Sequence, residues 1–372
     1  MTTRVDVFGE SLDVASLFPT ESFYKSEAEK EEEKRATVQQ RLAYNPDTVL
    51  VHDTDADGYG TAVMTRFSHP NAALLQVGND DRLSVRDIGT FIVEELTGAA
   101  ARVILADLSL NVSEEQSPVE AVQAYVAPYL SGFEDVYVCD HHEWPAEAVE
   151  WLTDHNDITA IIDSDDETPR CATKLLHDEY VSNATEELSE FAAVTNDHDV
   201  WIKEDPRSDR LAQYAGLADV ETYVEEALDH GVAMLSNPQI VDQLDEAEQQ
   251  QRELCRLAMK RASFHDIGGK TLALVYGRYP RSETGNWLLS ETDADVTCMM
   301  QPSGGLSFRS SDGESARALA EAFNGGGHND AAGGWLKDLV VESDATTYEE
   351  FWGSLGKVIQ DAFLSRAEHA LK

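Results

Sequence analysis

Three carboxylates alternate along Asp53-Thr54-Asp55-Ala56-Asp57, directly before Gly58 and directly after the apolar run Val49-Leu50-Val51 and His52. A strand that buries its apolar residues and then brings three acids to one place must offset their charge, because an ionised carboxylate is not tolerated unpaired away from water. Divalent cations are the natural offset, since carboxylates spaced two apart at a strand end can converge on neighbouring ions. Taken alone, Asp-x-Asp-x-Asp-Gly reads equally well as an acidic turn on a charged surface.

Two further strand ends shift that balance. Val103-Ile104-Leu105-Ala106 runs into Asp107, and Val136-Tyr137-Val138-Cys139 runs into Asp140-His141-His142. Asp-His-His offers an imidazole ligand, a carboxylate able to orient it, and a second imidazole facing substrate. A structural role accounts for one such strand end, not for three.

The elements that must position these residues follow from periodicity. Short apolar runs at 47–52, 73–77, 102–106, 135–139 and 158–162 are separated by helical patterns. This βαβ alternation predicts an α/β fold with a mostly parallel sheet flanked by helices, whose ligands sit at the carboxyl ends of the strands. An acidic, helix-compatible arm over 21–40 precedes it and reads as a solvated helix. Further on, 241–262 reads as a long charged helix joining two domains. Strands at 271–276, 296–300 and 306–308 and helices at 314–323 and 348–370 follow.

Composition bounds the rest. At 372 residues there is room for two domains with their own cores. Cys139, Cys171, Cys255 and Cys298 are scattered without a zinc or disulfide spacing, which fits a reducing cytosol. There is no basic-then-apolar start and no apolar stretch of the roughly 18 residues a bilayer span needs, so a cytoplasmic protein with no membrane partner is expected. The acids number 70 against 28 basic residues, a net charge of −42, while the apolar fraction stays at 42%. Acids spread through periodic segments suit a folded protein in a halophilic host. At molar salt the Debye length falls to about 3 Å, so a phosphate substrate must be held by short-range contacts.

The acidic motifs carry a family likeness. Asp53 to Gly58, Asp107 and Asp140-His141-His142 resemble the first three motifs of the DHH phosphoesterase superfamily, which includes RecJ exonucleases and nanoRNases. Its fourth motif resembles Ala193-Val194-Thr195-Asn196-Asp197-His198-Asp199-Val200-Trp201, with Asp197 the better match and Asp199 the rival; the Asp-x-Asp-x-Trp form is most similar to the nanoRNase B branch. Gly325-Gly326-Gly327-His328, followed by Ala331-Ala332-Gly333-Gly334, resembles the glycine-rich signature of the DHHA1 domain, where glycines let backbone N–H groups approach a phosphate. Arg309 stands where the family's Ser-x-Arg strand clamps phosphate.

The resemblance covers nearly the whole chain and implies a DHH catalytic domain over 1–235, a linker helix over 236–265 and a smaller α/β DHHA1 substrate-binding domain over 266–372. It implies two divalent ions, Mn²⁺ with Mg²⁺ as the alternative, about 3.5 to 4 Å apart, activating a water for in-line attack on phosphorus. Asp55, Asp57, Asp107, His141 and Asp197 would hold them, with Asp107 bridging. Some relatives carry a histidine ligand where Val51 stands, so His52 or Asp53 completes the set, and Asp53 is favoured. His142 would contact the phosphate and Asp140 would orient a neighbouring histidine. The implied activity is hydrolysis of short single-stranded oligonucleotides to mononucleotides, since no OB-fold or basic aromatic channel for long strands follows the DHHA1 region. The alternatives are a RecJ-like single-strand exonuclease in DNA repair, a cyclic-dinucleotide phosphodiesterase, a 3′-phosphoadenosine 5′-phosphate phosphatase and a non-catalytic replication scaffold. A haloarchaeal source is implied, and a homodimer is left open.

Overall fold

The computed structural model describes residues 4–7, 10–13, 27–77, 85–95, 101–110, 112, 116–163, 168–277, 279–301, 304–336 and 357–371. It divides into two compact units, Lys25–Asp245 and Glu246–Lys372, the second together with Met1–Tyr24. Strands β1 (Arg4–Val7) and β2 (Glu10–Asp13) form an antiparallel pair.

The first unit alternates as expected. Its elements are α1 (Glu27–Leu42), β3 (Thr48–His52), α2 (Ala56–Ser68), β4 (Ala73–Gln76), α3 (Val85–Glu95), β5 (Arg102–Ala106), α4 (Pro118–Gly132), β6 (Asp135–Asp140), α5 (Ala146–Asp154), β7 (Ile158–Ile162), α6 (Ala172–Glu179), α7 (Glu186–Asp199), α8 (Ser208–Ala215) and α9 (Val220–His230). The five strands are parallel in the order β4-β3-β5-β6-β7. Successive strand residues point to opposite faces. Thus Leu50, Ile104 and Cys139 pack against α2, α6, α7 and α9 on one side. Val49, Val51, Val103, Leu105, Val136 and Val138 pack against α1, α3, α4 and α5 on the other. Burial on both faces is why these strands read as continuous apolar runs.

The chain leaves β3 through α2 to reach β4, then crosses back to β5 on the other side of β3. The sheet order therefore reverses between β3 and β5. At such a switch point the loops beyond the strand ends part and leave a crevice. The acidic segments after β3 and β5 lie at its rim.

In the second unit the 24-residue α10 (Pro238–Arg261) is followed by β8 (Ser263–Ile267), β9 (Lys270–Tyr276), α11 (Arg281–Glu291), β10 (Val296–Met300), β11 (Gly305–Ser310), α12 (Ser315–Ala322), β12 (Gly326–Gly327), β13 (Ala331–Trp335) and α13 (Lys357–Ala370). The boundary between the units falls within α10. Six strands in the order β12-β13-β11-β10-β9-β8 make a mixed sheet in which only β9 and β10 run parallel. Stacked Phe308, Phe323 and Phe363 centre its core. The expected helix over 348–370 is described as α13 from Lys357, and 348–356 lie outside the described residues, as do 21–26 of the acidic arm.

Candidate metal centre

Asp55 is the N-cap of α2, its Oδ1 accepting the Gly58 N–H at 2.9 Å. The turn closes only around a glycine, because a Cβ on residue 58 would lie 2.2 Å from the Asp53 carbonyl oxygen. Two residues on, within the first turn, the buried Asp57 carboxylate reaches across to the start of α6, where it accepts the Ala172 N–H at 2.7 Å and the Thr173 N–H at 2.8 Å. Two otherwise orphan helix donors thereby fix the carboxylate. Gly60 permits this approach, since a Cβ there would meet Thr173 Oγ1 at 2.1 Å.

Asp107 follows β5 in the left-handed region, at φ 58, with its N–H bonded to the Cys139 carbonyl at 3.0 Å. A non-glycine residue held there marks a position the surroundings over-determine. Its Oδ1 lies 3.5 Å from His141 Nε2, and its Oδ2 is buried without a hydrogen-bond partner. Burial, reinforced by the charges of Asp57, Asp55 and Asp199, pushes its carboxyl well above the ordinary range.

His141 Nε2 also lies 3.8 Å from Asp57 Oδ2 and 3.4 Å from Asp199 Oδ2. Asp199 closes α7; its Oδ2 too is buried without a hydrogen-bond partner, and burial with the Asp57 and Asp55 charges pushes it to about 8. Asp57, His141 and Asp199 form one group with ligand-competent atoms within 4.8 Å of one another, and Asp107, Asp140, His141 and His142 form another. These groups fit a divalent cation. Carboxylates that repel one another, two of them with an orphan oxygen, gain from a dication what the protein does not supply. Carboxylate and imidazole donors together suit Mn²⁺ and its neighbours.

Asp140 is differently engaged. Its Oδ1 accepts the His141 N–H at 2.9 Å and a bond from His142 Nδ1 at 2.7 Å, and its Oδ2 accepts the Trp144 indole N–H at 2.6 Å. Burial alone would raise its pKa, but the bonds from His142 and Trp144 hold it below the usual range. The same bond raises the pKa of His142 against the opposing effect of burial.

The two fourth-motif candidates are placed differently. Residues two apart on a helix point about 200° apart, so Asp197 and Asp199 cannot face the same cluster. Asp197 turns away: its Oδ1 accepts the N–H groups of Glu204 at 2.8 Å and Asp205 at 3.2 Å, and Asp199 stands beside His141 instead. The sequence signal was the rival position itself. Trp144 and the α6 amides had no such signal.

Asp53 and Asp55 border the cluster without joining either group. Asp53 is half-buried, its Oδ1 accepting the Thr54 N–H at 2.6 Å, and burial raises its pKa. His52 is wholly buried beside Tyr59, with Nδ1 2.6 Å from the Asp53 carbonyl, and burial lowers its pKa to about 4.

In the second unit Arg309 lies on β11 opposite Ala331, its Nη2 donating to Ser282 Oγ at 2.7 Å and its Nη1 to the Phe308 carbonyl at 2.8 Å. Gly326 and Gly327 pair with β13, and the His328 N–H bonds the Ala331 carbonyl at 2.8 Å, so a short turn brings His328 back beside the residue that Arg309 faces. Gly325 is obligatory, since a Cβ would lie 1.9 Å from the Gly333 carbonyl oxygen. His328 is exposed.

No family model and no curated protein matches the chain. Among solved structures it is similar to the DHH domain of a protein described as a member of a family of ribosomal proteins, with TM-score 0.55 and 14% identity over 93% of this chain and 91% of that one. It is also similar to RecJ from Thermus thermophilus in complex with Mn²⁺, with TM-score 0.52 and 14% identity over 92% of this chain and 54% of RecJ. The chain thus has the fold of DHH-domain proteins, with an acidic and imidazole cluster at the strand ends. Among the described residues, no helix is long and apolar enough to cross a membrane.

Proposed function

We propose that this chain is a two-metal phosphodiesterase of the DHH superfamily that hydrolyses short oligonucleotides to mononucleotides. The observation that carries the reading is the convergence of Asp57, Asp107 and Asp199 on His141 Nε2, with orphan buried oxygens on Asp107 and Asp199. Asp57, Asp107, His141 and Asp199 would hold the ions, with Asp55 and Asp53 at the open side. Bound divalent ions supply Lewis-acid activation of water and neutralise charge developing on phosphorus. Asp140 fixes the His142 ring through Nδ1, leaving Nε2 to donate to a phosphoryl oxygen. Within the second unit, Arg309 and His328 would contact a phosphate through the guanidinium and the imidazole, with Gly325, Gly326 and Gly327 shaping the turn that carries His328.

The acid excess supports a small substrate, since long-range attraction of nucleic acid fails in a chain of net charge −42. It also supports a halophilic, cytoplasmic setting. The test is a product assay with Mn²⁺ at molar KCl on labelled RNA dinucleotides, cyclic dinucleotides, 3′-phosphoadenosine 5′-phosphate and long single-stranded DNA. Fastest turnover is expected on the dinucleotides, with Arg309→Ala raising KM more than it lowers kcat. Faster degradation of long DNA would sink the short-substrate reading, and no Mn²⁺-dependent hydrolysis of any of them would sink the phosphoesterase reading.

A further inference from the structure

Trp201 follows Asp199 by two residues and is 73% exposed, more than any other large apolar side chain among the described residues. It is also held in the left-handed region, at φ 60, as is Lys203 at φ 59. A bulky aromatic residue is an outlier there, and such strain persists only where the surroundings impose it. The imposing contacts are visible. The Trp201 N–H bonds the His198 carbonyl at 3.2 Å, and the Lys203 N–H bonds the Asp197 carbonyl at 3.1 Å. Asp197 Oδ1 gathers the next two amides, of Glu204 and Asp205. The loop after α7 is therefore tied to the helix end that carries Asp199, and its indole is turned into water.

The indole carries a cation over one face. Lys203 Nζ stands 4.2 Å from the ring centroid, and that ammonium is in turn paired with Asp209 and His198 Nδ1. One face of the ring is thus occupied by a cation, and its large exposure leaves the opposite face open. An indole with an open face is a stacking surface for a planar ring. Two residues span at most about 7 Å, so the indole is rooted within one nucleotide's reach of the cluster.

We propose that Trp201 is a nucleobase platform, stacking the base of the nucleotide whose phosphate lies at the Asp57, Asp107, His141 and Asp199 cluster, and that Asp197 is the positioning residue that sets it. This deepens the phosphodiesterase reading and rests on it. Stacking tolerates any base because each has a π face, so the platform selects for a base over none and not among bases. It also works at molar salt, where attraction by basic residues is screened.

The test compares the full chain, Trp201→Ala and Trp201→Phe, with Mn²⁺ at molar KCl, on an RNA dinucleotide and on its counterpart lacking one base. Trp201→Ala should raise KM for the dinucleotide roughly tenfold, with kcat falling no more than about threefold. The preference for the base-bearing substrate should fall by the same factor, and Trp201→Phe should recover most of it. A wild-type preference retained in Trp201→Ala, or equal losses on both substrates, removes the platform while leaving the phosphodiesterase intact. Failure of the wild type to hydrolyse either substrate removes the platform and, where long single-stranded DNA, cyclic dinucleotides and 3′-phosphoadenosine 5′-phosphate also resist, the phosphodiesterase reading with it.

Discussion

His142 Nδ1 lies 2.7 Å from Asp140 Oδ1, while the other oxygen of that carboxylate takes the Trp144 indole N–H at 2.6 Å. Both oxygens are thus engaged with protein donors, and Asp140 is expected to act through the imidazole beside it. Asp140→Asn replaces one acceptor with an NH₂ group and leaves either the His142 or the Trp144 donor unmatched. Loss of such an outer partner typically costs 10- to 100-fold in activity or metal affinity. Here kcat should fall roughly 10- to 100-fold while Mn²⁺ binding, read by calorimetry, weakens far less than in Asp107→Ala. Equal loss of Mn²⁺ binding in the two variants would make Asp140 a direct ligand instead.

Asp197 and Asp199 should separate cleanly. Asp199→Asn removes a charge facing His141 and should abolish or strongly weaken Mn²⁺ uptake. Asp197→Ala strips the acceptor from the part-buried Glu204 and Asp205 amides, a loss of about 0.5 to 1.5 kcal/mol per hydrogen bond. It should lower the melting temperature by several degrees while Mn²⁺ stoichiometry stays at the wild-type value. Reversed results in the two variants would restore Asp197 as the ligand.

That pair also marks where the sequence stops being legible. The strand-end acids could be read because each follows an apolar run with buried faces on both sides, and the parallel sheet brings such ends together whatever else the chain does. Asp199 could not be chosen over Asp197 because the choice depends on the rotation of α7 about its axis, which tertiary packing sets. The amides of Ala172 and Thr173 were invisible for another reason: they meet Asp57 across more than a hundred residues of chain and leave no local pattern. In the second unit β12 and β13 were missed because Gly326-Gly327 and Ala331-Ala332-Gly333-Gly334 lack the β-branched and aromatic residues that signal strands. Their pairing comes from hairpin closure beside β11.

Gly60 is a sharper test of packing. A Cβ at that position would lie 2.1 Å from Thr173 Oγ1 and 2.9 Å from Thr173 Cγ2. Overpacking of this kind costs about 1 to 3 kcal/mol. Gly60→Ala should therefore lower the melting temperature, and by displacing α6 it should loosen Asp57 and weaken Mn²⁺ binding. Adding Thr173→Ala, which removes both clashing atoms, should return most of the lost stability. A Gly60→Ala variant melting with the wild type would show that the helices part without cost.

At the opposite ends of the strands, His69 Nε2 is 2.6 Å from the Tyr180 hydroxyl and 3.1 Å from Arg102 Nη1. Burial first, and then the Arg102 charge, lower its pKa. An unfolded histidine takes up a proton near about 6.5. Below that value, and until the lower folded-state pKa is reached, the unfolded chain binds more protons, so this contribution to stability is present above about 6.5 and is lost as pH falls. Denaturant titrations of the Mn²⁺-loaded protein should show wild-type stability declining from about pH 7.5 to 5.5 more steeply than that of His69→Gln. Parallel pH profiles would show that His69 titrates in the folded chain as it does in the unfolded one.

The charge balance predicts a strong response to salt. With 70 acidic and 28 basic residues the acids exceed the cations by 42, and local pairs such as Arg317 with Glu321 contribute little. Folding brings these acids closer together than they are in the open chain, so their repulsion opposes the compact state. Raising salt from 0.1 M to 1 M shortens the screening length from about 10 Å to about 3 Å and removes most of that opposition. KCl should therefore raise the melting temperature steeply over this range, whereas sucrose, which acts by exclusion from the surface and carries no charge, should do much less at equal osmolality. Equal effects of the two would assign the response to solvent exclusion, and a melting temperature indifferent to KCl would remove the halophilic reading altogether.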